Sequence, residues 1–380
     1  MPSPIDLARR LNGEILNSLK AAFVGKNEVV DLLGVCLVAS EHLFILGPPG
    51  TAKSALVQQL ARRLEGRVFD YLLTRFTEPN ELFGPFDIRK LREGELVTNT
   101  EGMLPEAALV FLDELLNANS AILNSLLMVL NERVFRRGRE TRNLPLLMVV
   151  GASNRLPEDD ALDALFDRFL LRVRCDNAPD ERLPEVLLAG WRLDQTAGAT
   201  VATMTVDEIR AIQQGIRDVD LSPTLPAYVE LVNRLRKAGI EVSDRRAVKL
   251  QRLIAASALL CGRQAAQRTD LWVLRYIWDT EEQREVLAAL VQETLDQAEP
   301  ELWSASHPRA RDGGGPDAEE LTRDLHRLAE EWNPAAMSAP DQAAWQDQLG
   351  LLAGRCQWVQ NEQQRNFLQE HVDQLWKNCA

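Results

Sequence analysis

The chain is 380 residues long, with 46% apolar and 26% charged residues, a formal charge of −13 and a pI near 5.0. That length implies two or three domains, and the composition is that of a soluble globular protein. The acidic balance argues against a surface built for non-specific nucleic-acid binding, although a local basic patch is compatible with it.

No apolar run of about eighteen residues is free of charge. The nearest, Val29 to Leu46, is broken by Asp31, Glu41 and His42, and Asp6, Arg9 and Arg10 interrupt the start. Neither a membrane span nor a signal peptide is expected. The cysteines (Cys36, Cys175, Cys261, Cys356, Cys379) are scattered and the histidines dispersed, without metal-type spacing. They read as reduced residues of a cytoplasmic protein.

Over the first 175 residues five apolar segments alternate with helical patterns: His42–Leu46, Val68–Leu73, Leu109–Leu112, Leu146–Val150 and Phe169–Val173. Such alternation predicts an α/β fold, a parallel sheet with helices on both faces. A helix over Glu28–Ser40 precedes the first strand. That strand runs into Gly47-Pro48-Pro49-Gly50-Thr51-Ala52-Lys53-Ser54, and a helical pattern follows over Ala55–Leu64. Strand, glycine turn and helix N-terminus together make an anion site. Lys53 would reach the β- and γ-phosphates of a nucleotide, and the Ser54 hydroxyl would ligate Mg²⁺. The pattern G-x-x-x-x-G-K-[ST] is met except that Ala52 replaces the second glycine. The departure is mild if Ala52 already has helical dihedrals.

Pro79 to Ala107 is an insertion. Within it Phe86–Val97 suggests a β-hairpin turning at Glu93-Gly94. The third strand ends in Asp113-Glu114, two carboxylates at the sheet edge where α/β folds bind ligands. Asp113 would hold Mg²⁺ through water, and Glu114 would take a proton from an attacking water. Isolated, such a pair also reads as a solvated strand end; paired with the loop it points to nucleoside triphosphate hydrolysis. A second hairpin is expected over Arg133 to Pro145, turning near Gly138. Arg133, Arg136, Arg137, Arg139 and Arg142 crowd it. It is either a basic loop for an acidic client segment or nucleic acid, or an edge hairpin kept soluble by charge.

Asp176 to Pro184 reads as a hinge into an all-helical region. There Thr205 and Glu208 form a capping box, Ser222-Pro223 and Ser243 open helices, and Gly239 and Gly262 close them. Ser304 to Asp317 reads as a flexible linker. The helical tail carries Trp332, Trp345, Trp358 and Trp376, a hairpin whose tryptophans are core or an exposed partner surface. The expected division is a nucleotide-binding core over 1–178, a helical lid over 179–303, a linker over 304–317 and a C-terminal helical segment over 318–380.

In this order the parts resemble the MoxR family of AAA+ ATPases, and within it the RavA-like branch. The matching words are the loop above, Thr74-Arg75-Phe76, Phe83-Gly84-Pro85, Leu104–Ala107, Val110–Glu114, Asn131-Glu132-Arg133, Ala152-Ser153-Asn154 and Ser243–Arg246. The resemblance implies a five-stranded parallel sheet with an insert in helix 2, followed by a helical lid. It implies that Asn154 is sensor 1, where an Asx turn before Pro157 is the alternative. It makes Arg168, in Asp167-Arg168-Phe169, the arginine finger acting on a neighbouring subunit; a structural Asp–Arg pair is the alternative. Arg245 would be sensor 2, with Arg246 as rival. Phe23 and Val24 would line the adenine pocket or be plain core. Arg133 is a weaker candidate for a second contact to the neighbour; otherwise it is a solvated charge.

The implied cofactors are ATP and Mg²⁺. The implied assembly is a homo-oligomeric ring, a hexamer in this family, that remodels a protein client with a partner bearing a von Willebrand factor A domain. No nucleic-acid partner and no membrane insertion are expected. A DNA-stimulated motor and a nucleotide-gated scaffold are the competing readings. The tail lacks the strand pattern of the small β-rich module usual in the RavA-like branch.

Overall fold

The structure is a computed structural model and describes residues 2–137, 140–157, 160–195, 201–311, 318–332, 339–357, 359 and 362–379. Helix α1 (Pro4–Arg10) runs through a π-helical stretch, Leu11–Leu16, into α2 (Asn17–Ala22). Helix α3 (Asn27–Ala39) is apolar from Val29 onward except for Asp31, and it is buried from Val29 to Ala39. This follows from its place between the sheet on one side and helices of the second half on the other.

Next come β1 (Leu43–Leu46), α4 (Lys53–Arg62), β2 (Val68–Leu72), α5 (Pro79–Phe83) and α6 (Ile88–Arg92). Strand β3 (Leu109–Asp113), α7 (Ser120–Glu132), β4 (Val134–Arg137), β5 (Glu140–Asn143), β6 (Met148–Ser153), α8 (Asp160–Phe166) and β7 (Leu171–Arg174) complete the first half. Five strands form one parallel sheet in the order β2-β3-β6-β1-β7. Strand β1 lies inside the sheet between β6 and β7 and is wholly buried. Phe44 meets Phe166 edge-on at 4.9 Å, and such burial stabilises by roughly 1.5–3 kcal/mol per large side chain. The fifth strand begins two residues later than expected, because the Arg168 and Phe169 amides still donate to Leu165 and Phe166 carbonyls at the end of α8.

The segment Phe86–Val97 is not a hairpin. Asp87 accepts the Arg89 and Lys90 amides at 2.9 and 3.3 Å and so caps α6. Only the outer residues pair, as an antiparallel bridge between Phe86 and Thr98. The second hairpin is present as β4 and β5, paired from Val134↔Asn143 to Arg137↔Glu140. Its expected turn at Gly138 and the side chain of Arg139 lie outside the described residues.

The helical region contains α9 (Leu183–Gln195), α10 (Val206–Gly215), α11 (Leu225–Lys237), α12 (Asp244–Leu260) and α13 (Gln283–Asp296), with a 3₁₀ segment over Arg268–Tyr276. Pro184 lies inside the first turn of α9, so the hinge is shorter than expected. The Thr205–Glu208 capping box and the Ser243 cap are formed. The Ser222-Pro223 cap is not: the Asp220 carboxylate accepts the Ser222 amide in a turn, and α11 starts two residues later, after Thr224.

The start of the expected linker is packed rather than flexible. In and before α14 (Pro308–Arg311), His307 and Ala310 are buried, His307 stacks on Trp272 at 4.6 Å, and Arg309 Nε pairs with buried Asp31 at 3.0 Å. Residues 312–317 lie outside the described residues. The tail is a three-helix unit, not a hairpin: α15 (Ala318–Glu331), α16 (Ala339–Cys356) and α17 (Glu362–Cys379) enclose their own apolar cluster. Trp345 is buried there and packs on Trp332 at 4.4 Å, whereas Trp376 is 39% exposed and Trp358 lies outside the described residues. Arg355 joins this unit to α13 through Glu285 at 2.8 Å. Among the described residues no helix is long and apolar enough to cross a membrane.

Candidate nucleotide-binding site

The loop Gly47 to Ala52 joins β1 to α4 at the carboxyl edge of the sheet. Gly47 is needed for close approach: a Cβ there would lie 2.3 Å from the Cys175 carbonyl oxygen. Its amide donates to the Ser153 carbonyl at 3.0 Å, which pins the loop between β6 and β7. Pro48, Pro49 and Gly50 are exposed, and Gly50 turns the chain at φ +83°. Thr51 is buried, and its hydroxyl donates to Pro48 O at 3.0 Å. Lys53 is buried, and its ammonium donates to the Gly47 and Pro48 carbonyls, both at 2.8 Å, so the charge sits inside the loop.

Ala52 departs from the expectation of ordinary helical dihedrals. It caps α4 in the left-handed region, with φ +64° and ψ +21°. An L side chain there costs on the order of 1–2 kcal/mol, which is why a glycine usually fills this place. The loop conformation outweighs the preference of the residue.

Asp113 ends β3, and Glu114 follows with φ +51°, also left-handed. Asp113 Oδ1 accepts the Glu114 amide at 3.0 Å, so the turn orients both carboxylates at once. Both are half-buried. Burial, and then the Asp113 charge, raise the Glu114 carboxyl above the usual range, while Lys53 and Arg155 pull it down. The loop lysine and the strand-end acids therefore share one electrostatic site. Ser54 in the first turn of α4 and Asp113 offer two hard oxygen donors, the set that suits Mg²⁺ completed by water and phosphate.

Asn154 lies one residue past β6 and is exposed. The register Leu46↔Ser153 puts it level with Gly47. Two further residues at this edge were missed from sequence. Arg155 Nη2 donates to Asn117 Oδ1 at 3.4 Å, and Asn117 Nδ2 lies 3.5 Å from Glu114 Oε2. The available signal was a cation directly after the strand-end amide. Phe23 is buried at the end of α2 and Val24 is half-buried. In the turn after them, at Gly25-Lys26, Lys26 donates to the Asp176 carbonyl.

The arginines divide. Arg168 precedes β7, whose first residue pairs with Leu43 at the start of β1. It therefore sits at the amino edge, while the loop and acids sit at the carboxyl edge, at least ~10 Å of strand away at about 3.3 Å per residue. It is half-buried, 3.4 Å from Asp167. Arg245 is exposed in the first turn of α12, whereas Arg246 is buried and bonded to Asp279, Glu241 O and Ile277 O.

Arg133 is not a solvated charge. It closes α7 at φ +53° and donates to the Ser40 and Leu147 carbonyls at 2.6 and 3.2 Å, next to buried Glu41. Arg137 bonds to Gly84 O and Asn80 and covers the Phe86 ring at 3.9 Å; Arg142 bonds to Thr100 and Glu140. Arg136 pairs with Glu132 at 2.9 Å. Arg133 and Arg137 thus tie the hairpin to the chain itself, while Arg136 and Arg142 remain exposed beside their acidic partners.

Comparison with known proteins agrees with this frame. The family model described as the MoxR domain in MoxR–vWA–β-propeller ternary systems matches residues 9–214, and an AAA lid domain model matches 224–291. An uncharacterised protein of Methanocaldococcus jannaschii is 37% identical over 268 residues, 70% of each chain. Protein MoxR of Methylorubrum extorquens is 24% identical over 270 residues, 67% of this chain and 76% of that one. Chaperone MoxR1 of Mycobacterium tuberculosis is 24% identical over 200 residues, 52% of each. A crystal structure of a candidate ATPase from Cytophaga hutchinsonii superposes with TM-score 0.62 at 19% identity, covering 78% of this chain and 96% of that one, and shows the fold. Because the first of these models spans more than half of its length, the chain belongs to the MoxR family of AAA+ proteins.

Proposed function

We propose that the chain hydrolyses ATP at the interfaces of a ring of identical subunits, hexameric by resemblance, and uses turnover to remodel or assemble a protein client. The observation that carries this reading is the separation of Arg168 from the chain's own phosphate loop by the height of the sheet. An arginine at the amino edge serves a nucleotide only on another copy. The loop from Gly47 to Ser54 holds the phosphates, with Lys53 on the β- and γ-oxygens. Phe23 and Val24 flank the base. Ser54 and Asp113 would hold Mg²⁺, which would supply charge neutralisation at the phosphate oxygens. Glu114 takes the proton of the attacking water and Asn154 orients that water. Arg245, exposed beside the immobilised Arg246, reaches the γ-phosphate from the same chain, and Arg168 reaches the neighbour's.

The partner reading is supported by the matching family model, whose description names MoxR–vWA–β-propeller ternary systems. Placement in the RavA-like branch rests on the sequence words alone, and a cytoplasmic setting on the scattered thiols. The test uses Glu114→Gln, which is expected to bind ATP without turnover. Immobilised with ATP, it should retain a von Willebrand factor A protein that it releases with ADP. Retention of nucleic acid instead, or of no nucleotide-dependent partner, would contradict the reading.

A further inference from the structure

Two buried arginines from distant parts of the chain meet on one carboxylate. Arg172, the second residue of β7, is fully buried. Its Nη1 lies 2.8 Å from Asp279 Oδ1 and donates to Ile277 O at 3.2 Å. Its Nη2 donates to Phe166 O at 3.2 Å, and the guanidinium lies 4.2 Å over the Phe166 ring. Arg246 of α12 reaches the same carboxylate at 3.0 Å and donates to the same Ile277 carbonyl at 2.5 Å. The Nε atoms of both arginines are buried and have no hydrogen-bond partner among the described residues. Two positive charges against one negative is an expensive arrangement. Burial, and then Arg246, lower Arg172 to about 9, and well-packed apolar side chains would be cheaper for stability alone.

What the cluster grips suggests its use. Arg172 holds the last residue of α8 by carbonyl and ring, two residues before Arg168. Arg246 is adjacent to Arg245. We propose that Asp279 is a positioning residue that couples the arginine reading a subunit's own nucleotide, Arg245, to the arginine offered to the next subunit, Arg168. A shift of α12 that changes the Arg246–Asp279 contact changes the hold of the shared carboxylate on Arg172, and through it on Phe166. The inference rests on the roles proposed above for Arg168 and Arg245.

The test is a double-mutant cycle on ATPase rates, with ATP affinity measured separately by a fluorescent ATP analogue. Asp279→Asn should lower kcat about tenfold to hundredfold, as expected for a misplaced catalytic group, with affinity unchanged within about twofold. In the Arg168→Ala background it should cost little more, because the arginine it positions is already gone. Asp279→Glu should recover part of the loss. Costs that multiply independently, or a kcat unchanged in Asp279→Asn, would overturn the proposal while leaving the site reading intact. A silent Arg168→Ala would instead remove that reading, and the proposal with it. Should Asp279→Asn fail to fold, Arg246→Met carries the test, since it leaves a neutral Arg172–Asp279 pair. Its cost should be non-additive with that of Arg245→Ala, and full additivity overturns the coupling.

Discussion

The two edges of the central sheet are built on different principles. At the carboxyl edge the two acids are half-buried and the backbone is strained: Ala52 and Glu114 both occupy the left-handed region, and buried Lys53 bonds to its own loop. At the amino edge Arg168 follows Phe166 by two residues, and Phe166 is held by the Phe44 ring and by Arg172, which pairs with Asp279. In the function proposed above, one edge holds a phosphate chain and activates water, while the other supplies a cation that its own loop cannot use. On the proposed reading they are halves of one site, brought together only between copies.

The comparison can be broken in decreasing steps. Arg168→Ala should lower kcat the most, by on the order of 10³–10⁵ as for arginine fingers generally, with ATP affinity little changed; a steady-state ATPase assay reads it. Glu114→Gln should lower kcat by on the order of 10²–10⁴, the range of a lost general base, while equilibrium binding of ATP persists. Lys53→Ala acts on binding: loss of a charged donor costs roughly 1.5–3 kcal/mol, about ten- to hundredfold in affinity, measurable by calorimetry.

The pH profile sharpens the carboxyl edge. Glu114 is raised by burial and by Asp113, so its base form disappears at a higher pH than for an ordinary glutamate near about 4.3. The acid limb of kcat should therefore lie above that value. Arg155→Ala removes a cation that lowers Glu114, so it should move the limb further up; a shift downward would contradict the electrostatics. The smallest effect is structural. Ala52→Gly relieves the left-handed alanine and should stabilise the fold by about 1 kcal/mol, since the 1–2 kcal/mol steric cost is partly offset by unfolded-chain entropy. Denaturant unfolding reads it.

The sheet was legible because each strand is a short apolar run bounded by turn residues, and the turn from β1 into α4 because its glycines and the helical pattern after it mark its ends. The misreadings have local causes. Ala52 looked helical because propensity ignores the constraint of the loop. Phe86–Val97 looked like a hairpin because its glycine turn was visible, whereas the capture of two amides by Asp87 was not. Arg133 looked solvated because nothing in a run of arginines tells which guanidinium finds buried carbonyls 93 positions away. The sharing of Asp279 by Arg172 and Arg246 is likewise a long-range fact that no spacing encodes.

The central claim is that each site is completed by the opposite edge of another copy. Arg168→Ala and Glu114→Gln are each expected to turn ATP over only at the reduced rates given above. Co-expressed and purified together, they should regain ATPase activity, because the intact loop and Glu114 of one variant can meet the intact Arg168 of the other. A mixed assembly as inactive as either parent would contradict the account.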